Sequence, residues 1–265
     1  MTSALETDSL KNRDVYNIDA LDAVLEKTAN SKTKYFLGAS SIVTALLTVW
    51  LGLFITPNDE HLGYAVRLLY VHPPVAWAAL YLAFGTTTLA SLLWLWPKTR
   101  SYFWDKIAGA SAEIGVLYLA LTLITGSIWG RTTWGVWWTW DARLTLTAVL
   151  LVLYLGYLAV RQMDGSDKVK ATRNAIAALF AAIDVPIVHF SVIWWNTLHQ
   201  TASVLTPGLH LTVPLSMGLT MGVGFLCTTL VWAWMMRVRY EIELLKTVAA
   251  QIGTLKAIEL RKSEV

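Results

Sequence analysis

Long apolar stretches alternate with short polar segments along most of this chain. Six of these stretches reach the roughly 17 to 25 residues that a membrane-spanning helix needs. They run from Tyr35 to Thr56, Pro74 to Pro97, Ile107 to Ile128, Leu144 to Val160, Asn174 to Trp195 and Leu211 to Met236. The pattern therefore predicts an all-α, polytopic membrane protein with six transmembrane helices.

The composition agrees with this interpretation. Of 265 residues, 55% are hydrophobic and only 15% are charged, whereas roughly a quarter of the residues in a soluble domain are charged. The only cysteine, Cys227, lies inside the sixth apolar stretch. A single cysteine excludes an internal disulfide and a covalent CxxCH haem site.

The basic residues predict the orientation of the helices. If the N-terminus is cytoplasmic, 18 of the 21 Lys and Arg residues face the cytoplasm, and only Arg67, Arg131 and Arg143 face outward. The positive-inside rule favours this topology, in which both termini are cytoplasmic. The net charge of +3 reflects the same bias, so it gives no reason to infer nucleic-acid binding.

Three segments follow from this topology. Residues 1–34 form a cytoplasmic N-terminal extension, residues 35–236 form the six-helix domain and residues 237–265 form a cytoplasmic tail. Apolar residues of the tail recur at alternating three- and four-residue steps, which predicts an amphipathic helix. Such a helix either lies along the membrane or the protein's own core, or docks a cytoplasmic partner.

Aromatic and imidazole side chains gather on the predicted outer side. Five tryptophans fall between Trp129 and Trp140, within the loop 129–143 that joins the third and fourth apolar stretches. Such a cluster is typical of a membrane-interface belt or of a platform for a flat ligand. All five histidines lie at or near the same side: His61, His72, His189, His199 and His210. Two histidines from different helices can occupy the two axial positions of a haem iron.

A haem site needs aromatic faces, axial nitrogens and cations for two propionates, and the outer side offers each type. The chain has no H-x-x-H or H-E-x-x-H spacing, so a zinc hydrolase finds little support. The candidate haem-binding residues are His72, His199, Trp129, Trp134, Trp137, Trp138, Trp140, Arg67 and Arg143.

The run from Thr125 to Thr145, which ends in Trp-Asp-Ala-Arg-Leu-Thr, resembles the tryptophan-rich WWD signature of the haem exporter protein C family of cytochrome c maturation. The segments Arg67–Pro73 and Pro186–Gln200 resemble the same family, so the likeness covers roughly residues 35–236. It implies that His72 and His199 are the axial ligands of haem b, and that the WWD loop, including Asp141, holds the porphyrin face.

The resemblance also implies a function and a set of partners. Haem would be presented at the outer face of the bacterial inner membrane to a periplasmic haem chaperone, which delivers it to apocytochrome c. The other implied partners are an ATP-binding-cassette ATPase and its membrane subunit, which drive release, and a small single-span subunit. Whether the chain acts as a haem lyase toward the chaperone stays open.

Other functions stay open beside this one. A larger synthase-type WWD protein attaches haem directly to apocytochrome c, although the six-span length argues against it. A small-molecule permease would use the tryptophans only as an interfacial belt, and a membrane cytochrome would need a second redox centre. His189 is interpreted as a packing or outer-shell residue, while Asp184 and Glu113 are functional candidates because ionisable groups inside spans are costly.

Overall fold

The computed structural model describes residues 31–60, 62–199 and 213–263. Most of the predicted N-terminal extension, together with His61 and His210, lies outside the described residues. Within the described ranges the regular elements are all helical. The α-helices are α1 (Lys32–Trp50), α2 (His72–Trp77), α3 (Phe84–Leu95), α4 (Tyr102–Trp134), α5 (Ala142–Arg161), α6 (Asp167–Ala182), α7 (Asp184–Trp194) and α8 (Leu215–Ser263).

Three shorter segments extend or join these helices. A π-helical segment, Leu51–Ile55, continues α1, and a second, Ala78–Ala83, joins α2 to α3. A 3₁₀-helix, Tyr64–Tyr70, precedes α2. The turn at Ile183 separates α6 from α7 where Pro186 follows, because proline cannot donate the hydrogen bond that an uninterrupted helix needs there.

Six helices are long and apolar enough to cross a membrane, and they confirm the predicted all-α fold with six spans. In chain order they are Lys32–Ile55, Tyr64–Leu95, Tyr102–Trp134, Ala142–Arg161, Asp167–Trp194 and Leu215–Ala250. Below they are called the first to the sixth span. Their orientation in the membrane stays a prediction from the basic residues.

The third span is longer than the apolar pattern suggested. Helix α4 continues through the polar residues after Ile128 and ends at Trp134, because Gly135 adopts a left-handed conformation with φ 78°. Glycine is the residue best suited to this helix-terminating geometry. The predicted WWD loop 129–143 is thus irregular only from 135 to 141.

Helix α8 is assigned from Leu215 to Ser263, so the described part of the tail is helical as predicted. Its amphipathic role stays a prediction.

The core of the bundle lies where the second to fifth spans meet. The rings of Phe84 and Tyr154 stack with centroids 3.6 Å apart and planes 10° apart, and both side chains are fully buried. Gly115 on α4 lies directly beneath Phe84, where a Cβ atom would overlap the ring. This close approach lets α4 pack against α3 along much of its length.

An ion pair joins three spans at the opposite end of the bundle from the tryptophan cluster. Arg161 at the end of α5 donates to Asp105 near the start of α4 at 2.8 Å, and both side chains are about four-fifths buried. Asn174 on α6 donates to the same carboxylate at 3.2 Å. Losing one member would leave a partly buried charge, so this contact stabilises the packing of α4, α5 and α6.

Two compact units are distinguished, one spanning Leu37–Arg237 and the other formed by the chain ends up to Phe36 and from Val238 onward. In the second unit Lys34 donates to the buried carboxylate of Glu241 at 3.1 Å. All of the functional residues discussed below belong to the first unit.

Candidate functional site

One cavity of about 680 Å³ lies among the second to sixth spans and the segment that follows α7. This volume falls within the ~300–1,000 Å³ typical of small-molecule and cofactor sites. Most of the lining is apolar, from side chains such as Leu80, Leu119, Val188, Met221 and Phe225. The polar and aromatic lining includes His72, Tyr81, Trp129, Trp134, Trp138, Arg143, His189 and His199. An apolar cavity with a few convergent polar groups is suited to a largely apolar ligand.

His72 is the first residue of α2 and is 8% exposed. Its position follows from Pro73 and Pro74, since proline is favoured in the first turn of a helix. The ring rests on one face of α4, where Nδ1 lies 3.0 Å from the hydroxyl oxygen of Thr125. Trp129, one turn further along α4, packs against the imidazole edge to face with centroids 5.6 Å apart.

His199 lies on irregular backbone beyond the end of α7. The chain leaves the helix at Trp195, whose backbone is extended, and the amide of His199 donates to the Thr197 hydroxyl at 2.8 Å. The amide of Leu198 donates to Asp141 Oδ2 at 3.3 Å. The segment that carries His199 is therefore held by a local turn and by contacts to the WWD segment, including the hydrogen bond to Asp141.

Asp141 connects the start of α5 to the segment that carries His199. Its Oδ1 accepts from the amide of Leu144 at 2.9 Å and so caps the N-terminus of α5, while Oδ2 reaches Leu198. Aspartate is among the most favourable residues at this helix position, because its carboxylate satisfies an amide that lacks an intrahelical partner. One side chain thus holds both the start of the fourth span and the segment that carries His199.

His72 and His199 lie close together in the lining of the cavity. Their ring centroids are 6.3 Å apart and their planes differ by 40°. An imidazole nitrogen lies about 2 Å from a bound metal, and the ring centre about 1 Å further, so two imidazoles on opposite sides of one metal have centroids roughly 6 Å apart. The observed separation is compatible with two axial ligands of a single iron, so the pair fits a haem by distance.

The five predicted tryptophans divide into two groups. Trp129, Trp134 and Trp138 line the cavity, and Trp134 lies edge to face against His199 with centroids 6.3 Å apart. Trp137 and Trp140 are 59% and 81% exposed and are not among the lining residues. Any contact of these two side chains with a ligand stays a prediction.

The two predicted cations, Arg67 and Arg143, lie in different surroundings. Arg143, in the first turn of α5, lines the cavity. Arg67 instead donates to the Gly52 carbonyl at 2.9 Å and to Asn58 at 3.1 Å, and it lies over the Tyr64 ring. Among the described residues Arg143 is thus the one predicted cation that borders the cavity, while a role for Arg67 in ligand binding stays a prediction.

One cavity residue, Tyr81, and one residue that contacts His72, Thr125, were not singled out from the sequence. Tyr81 lines the cavity and hydrogen-bonds to His189 Nδ1, so His189 contributes directly to the lining. Thr125 holds His72, and its helical spacing of four residues from Trp129 is the signal that could have revealed it. Asp184 is buried, with its Oδ2 making no hydrogen bond within the described chain.

Comparison with known proteins identifies a family whose match covers the residues described above. The family described as Heme exporter protein C matches residues 21–253. A Heme exporter protein C of Haemophilus influenzae is 37% identical over 235 residues, which cover 84% of this chain and 92% of that protein. One of Bradyrhizobium diazoefficiens is 39% identical over 156 residues, or 58% and 57% of the two chains. A putative cytochrome c biosynthesis ccmC-like mitochondrial protein of Arabidopsis thaliana is 36% identical over 181 residues, or 68% and 66%. The family match includes every residue that lines the cavity.

Proposed function

Since this chain belongs to the Heme exporter protein C family, we propose that it binds haem b in the cavity at the outer face of the bacterial inner membrane and presents it to a periplasmic haem chaperone. The observation that carries this proposal is the 6.3 Å separation of His72 and His199 at the edge of an apolar cavity. In this proposal haem is the cargo, and its iron can take an imidazole nitrogen at each of its two axial positions.

Different lining residues would hold different parts of the haem. His72 and His199 would bind the iron, while Trp129, Trp134 and Trp138 supply aromatic faces beside it. Arg143 is placed to pair with a propionate, since a guanidinium donates two parallel hydrogen bonds to a carboxylate. The apolar side chains deeper in the cavity exclude water from the macrocycle.

The orientation of the cavity supports presentation on the outer side. The WWD segment and His199 belong to the ends of the spans that carry few Lys and Arg residues, which the positive-inside rule assigns to the outer surface. The proposed partners are the periplasmic chaperone, an ATP-binding-cassette ATPase with its membrane subunit, and a small single-span subunit. The cassette transporter would drive release, which requires that an iron ligand be exchanged.

The absorption spectrum of the purified, detergent-solubilised protein tests the proposal. We expect a Soret band of a low-spin haem that is lost in a His72→Ala/His199→Ala double variant and retained in His189→Ala, which changes another histidine of the same cavity. A wild-type protein that neither purifies with haem nor binds added haemin would overturn the proposal and favour a small-molecule permease.

Transfer is tested separately, by mixing the haem-loaded protein with a purified periplasmic haem chaperone. We expect the haem to move to the chaperone, and to do so faster when the transporter subunits and ATP are present. Haem that passes directly to apocytochrome c without a chaperone would instead indicate a synthase-type protein.

A further inference from the structure

His72 is seated against three residues of α4 that share one helical face: Thr125, Gly126 and Trp129. Thr125 Oγ1 lies 3.0 Å from Nδ1 of the ring, and the Trp129 indole meets the ring edge to face. A Cβ atom added at Gly126 would lie 2.8 Å from Cε1 of His72, so only glycine lets the ring come this close to the helix. The imidazole thus has a defined position and a defined polar neighbour.

The direction of the hydrogen bond between Thr125 and His72 follows from the other contacts of the hydroxyl. Thr125 Oγ1 lies 2.8 Å from the carbonyl oxygen of Leu121 and 3.3 Å from that of Thr122. A carbonyl oxygen can only accept, and two oxygens at 2.8 Å without a proton between them would repel each other. The single hydroxyl proton of Thr125 is therefore donated to a backbone carbonyl of α4.

The Thr125 oxygen can then only accept from His72, so the proton of this contact belongs to Nδ1. A neutral imidazole carries one N–H, and its other nitrogen has a free lone pair. The geometry points to Thr125 as a positioning residue that fixes His72 in the Nδ1–H tautomer and leaves Nε2 unprotonated to bind iron. This inference rests on the proposed haem-binding function, and Thr125 acts on the iron only through His72.

A hydrogen bond of this kind has a second effect. An acceptor on the far nitrogen raises the basicity of a metal-binding imidazole and holds the ring in orientation, and its loss typically weakens metal binding about 10- to 100-fold. Since Thr125 is partly buried and on the same helix as Trp129, water does not readily replace it as the acceptor. The tautomer of His72 should consequently respond to the loss of this hydroxyl, which acts beside a backbone contact of the ring with Thr122.

The haem-free protein provides the first test. With ¹⁵N-labelled histidine, the imidazole nitrogen shifts report which nitrogen carries the proton, and the His72 signals are assigned by their absence in His72→Gln. We expect the Nδ1–H form in the wild type and in Thr125→Ser, and a shift toward the Nε2–H form in the isosteric Thr125→Val. Thr229→Val is the matched control, because that hydroxyl donates to its own i−4 carbonyl at 2.6 Å and has no imidazole partner.

An Nε2–H signal for His72 in the wild type, or an unchanged tautomer in Thr125→Val, would overturn the inference. The second measurement is haemin titration followed by the Soret band. Thr125→Val should bind about 10- to 100-fold more weakly, with a changed midpoint potential in the fraction that binds, while Thr125→Ser and Thr229→Val stay within a few-fold of the wild type. Equal haemin affinity in Thr125→Val would also count against it.

The two measurements separate the two proposals. If the wild-type protein binds no haemin, the proposed function fails, while the tautomer measurement on haem-free protein still decides the role of Thr125. If haemin binds and the tautomer does not respond to Thr125, the proposed function stands and the positioning role is lost. Circular dichroism and gel filtration of Thr125→Val and Thr125→Ser serve as the control that both variants are folded.

Discussion

Adding one methyl group at Gly126 should weaken haem binding, while part of its cost to the stability of the fold is offset by helix propensity. In Gly126→Ala the new Cβ atom would lie 2.8 Å from Cε1 and 3.4 Å from Nδ1 of His72. Non-bonded carbon atoms are separated by about 3.5 Å or more, so the ring must move away from α4 by roughly 0.7 Å. His72 can move because it is the first residue of α2, whereas Gly126 lies in the interior of α4.

The displacement of the His72 ring affects haemin affinity and the free energy of unfolding for different reasons. A shift of about 0.7 Å exceeds the roughly 0.5 Å within which a binding group must be held, and it stretches the contact with Thr125 from 3.0 Å toward the limit of a hydrogen bond. We therefore expect the haemin affinity to fall about 10- to 100-fold. Alanine favours the helix by about 0.5–1 kcal/mol over glycine, which offsets part of the about 1–3 kcal/mol cost of overpacking.

The assay is haemin titration of purified protein by Soret absorbance, paired with thermal unfolding of the haem-free form. Gly156→Ala is the matched control, since Gly156 lies inside α5 and a Cβ atom there would meet no heavy atom within 4 Å. That variant should bind haemin as the wild type does. If Gly126→Ala binds equally well, the His72 ring does not occupy the position against α4 on which this reasoning depends.

Three further predictions follow. Asp141→Ala should raise the rate at which added imidazole replaces a protein ligand in the haem-loaded protein, measured by stopped-flow absorbance, because the contact that restrains the His199 segment is lost; an unchanged rate would refute this. Trp134→Leu should reduce haemin affinity about tenfold or more, given stacking contributions of about 0.5–1.5 kcal/mol beyond the lost area. Trp140→Leu, at an 81% exposed position outside the cavity lining, should reduce it less; equal losses would show that both rings contact the ligand. Arg161→Ala should lower the free energy of unfolding by about 3 kcal/mol, since it leaves a partly buried carboxylate without its ion-pair partner. Lys246→Ala, which removes a largely exposed ion pair, should lower it by less than about 1 kcal/mol. Equal shifts in the thermal midpoint would contradict the role of the buried pair.

The six spans could be predicted because length and apolarity alone decide whether a helix can cross a bilayer. The ends of the spans could not, since they depend on local backbone chemistry. Helix α4 continues past Ile128 through Thr132 and Thr133, whose hydroxyls donate within the helix to the carbonyl of Trp129, and it ends where Gly135 turns left-handed. Apolarity carries no information about either feature.

The candidate site was predictable in kind more than in detail. Composition and spacing grouped His72, His199 and the tryptophans, and the cavity contains both histidines. The direction in which a side chain points on irregular backbone cannot be read from residue order, which is why Trp140 was grouped with Trp134 although only Trp134 lines the cavity. Helical periodicity does carry this information, and it would have placed Thr125 beside Trp129.

The two histidines are held in unlike ways, and this difference suits a protein that must release its cargo. His72 is buried at a helix start and contacts three residues of one rigid helix. His199 lies on irregular backbone, where the neighbouring Leu198 donates to Asp141 at 3.3 Å and Trp134 meets the His199 ring edge to face. Loops open at lower free energy than helices packed in a core. Exchange of the iron ligand during handover should consequently begin at His199, while His72 retains the haem until the acceptor has bound it.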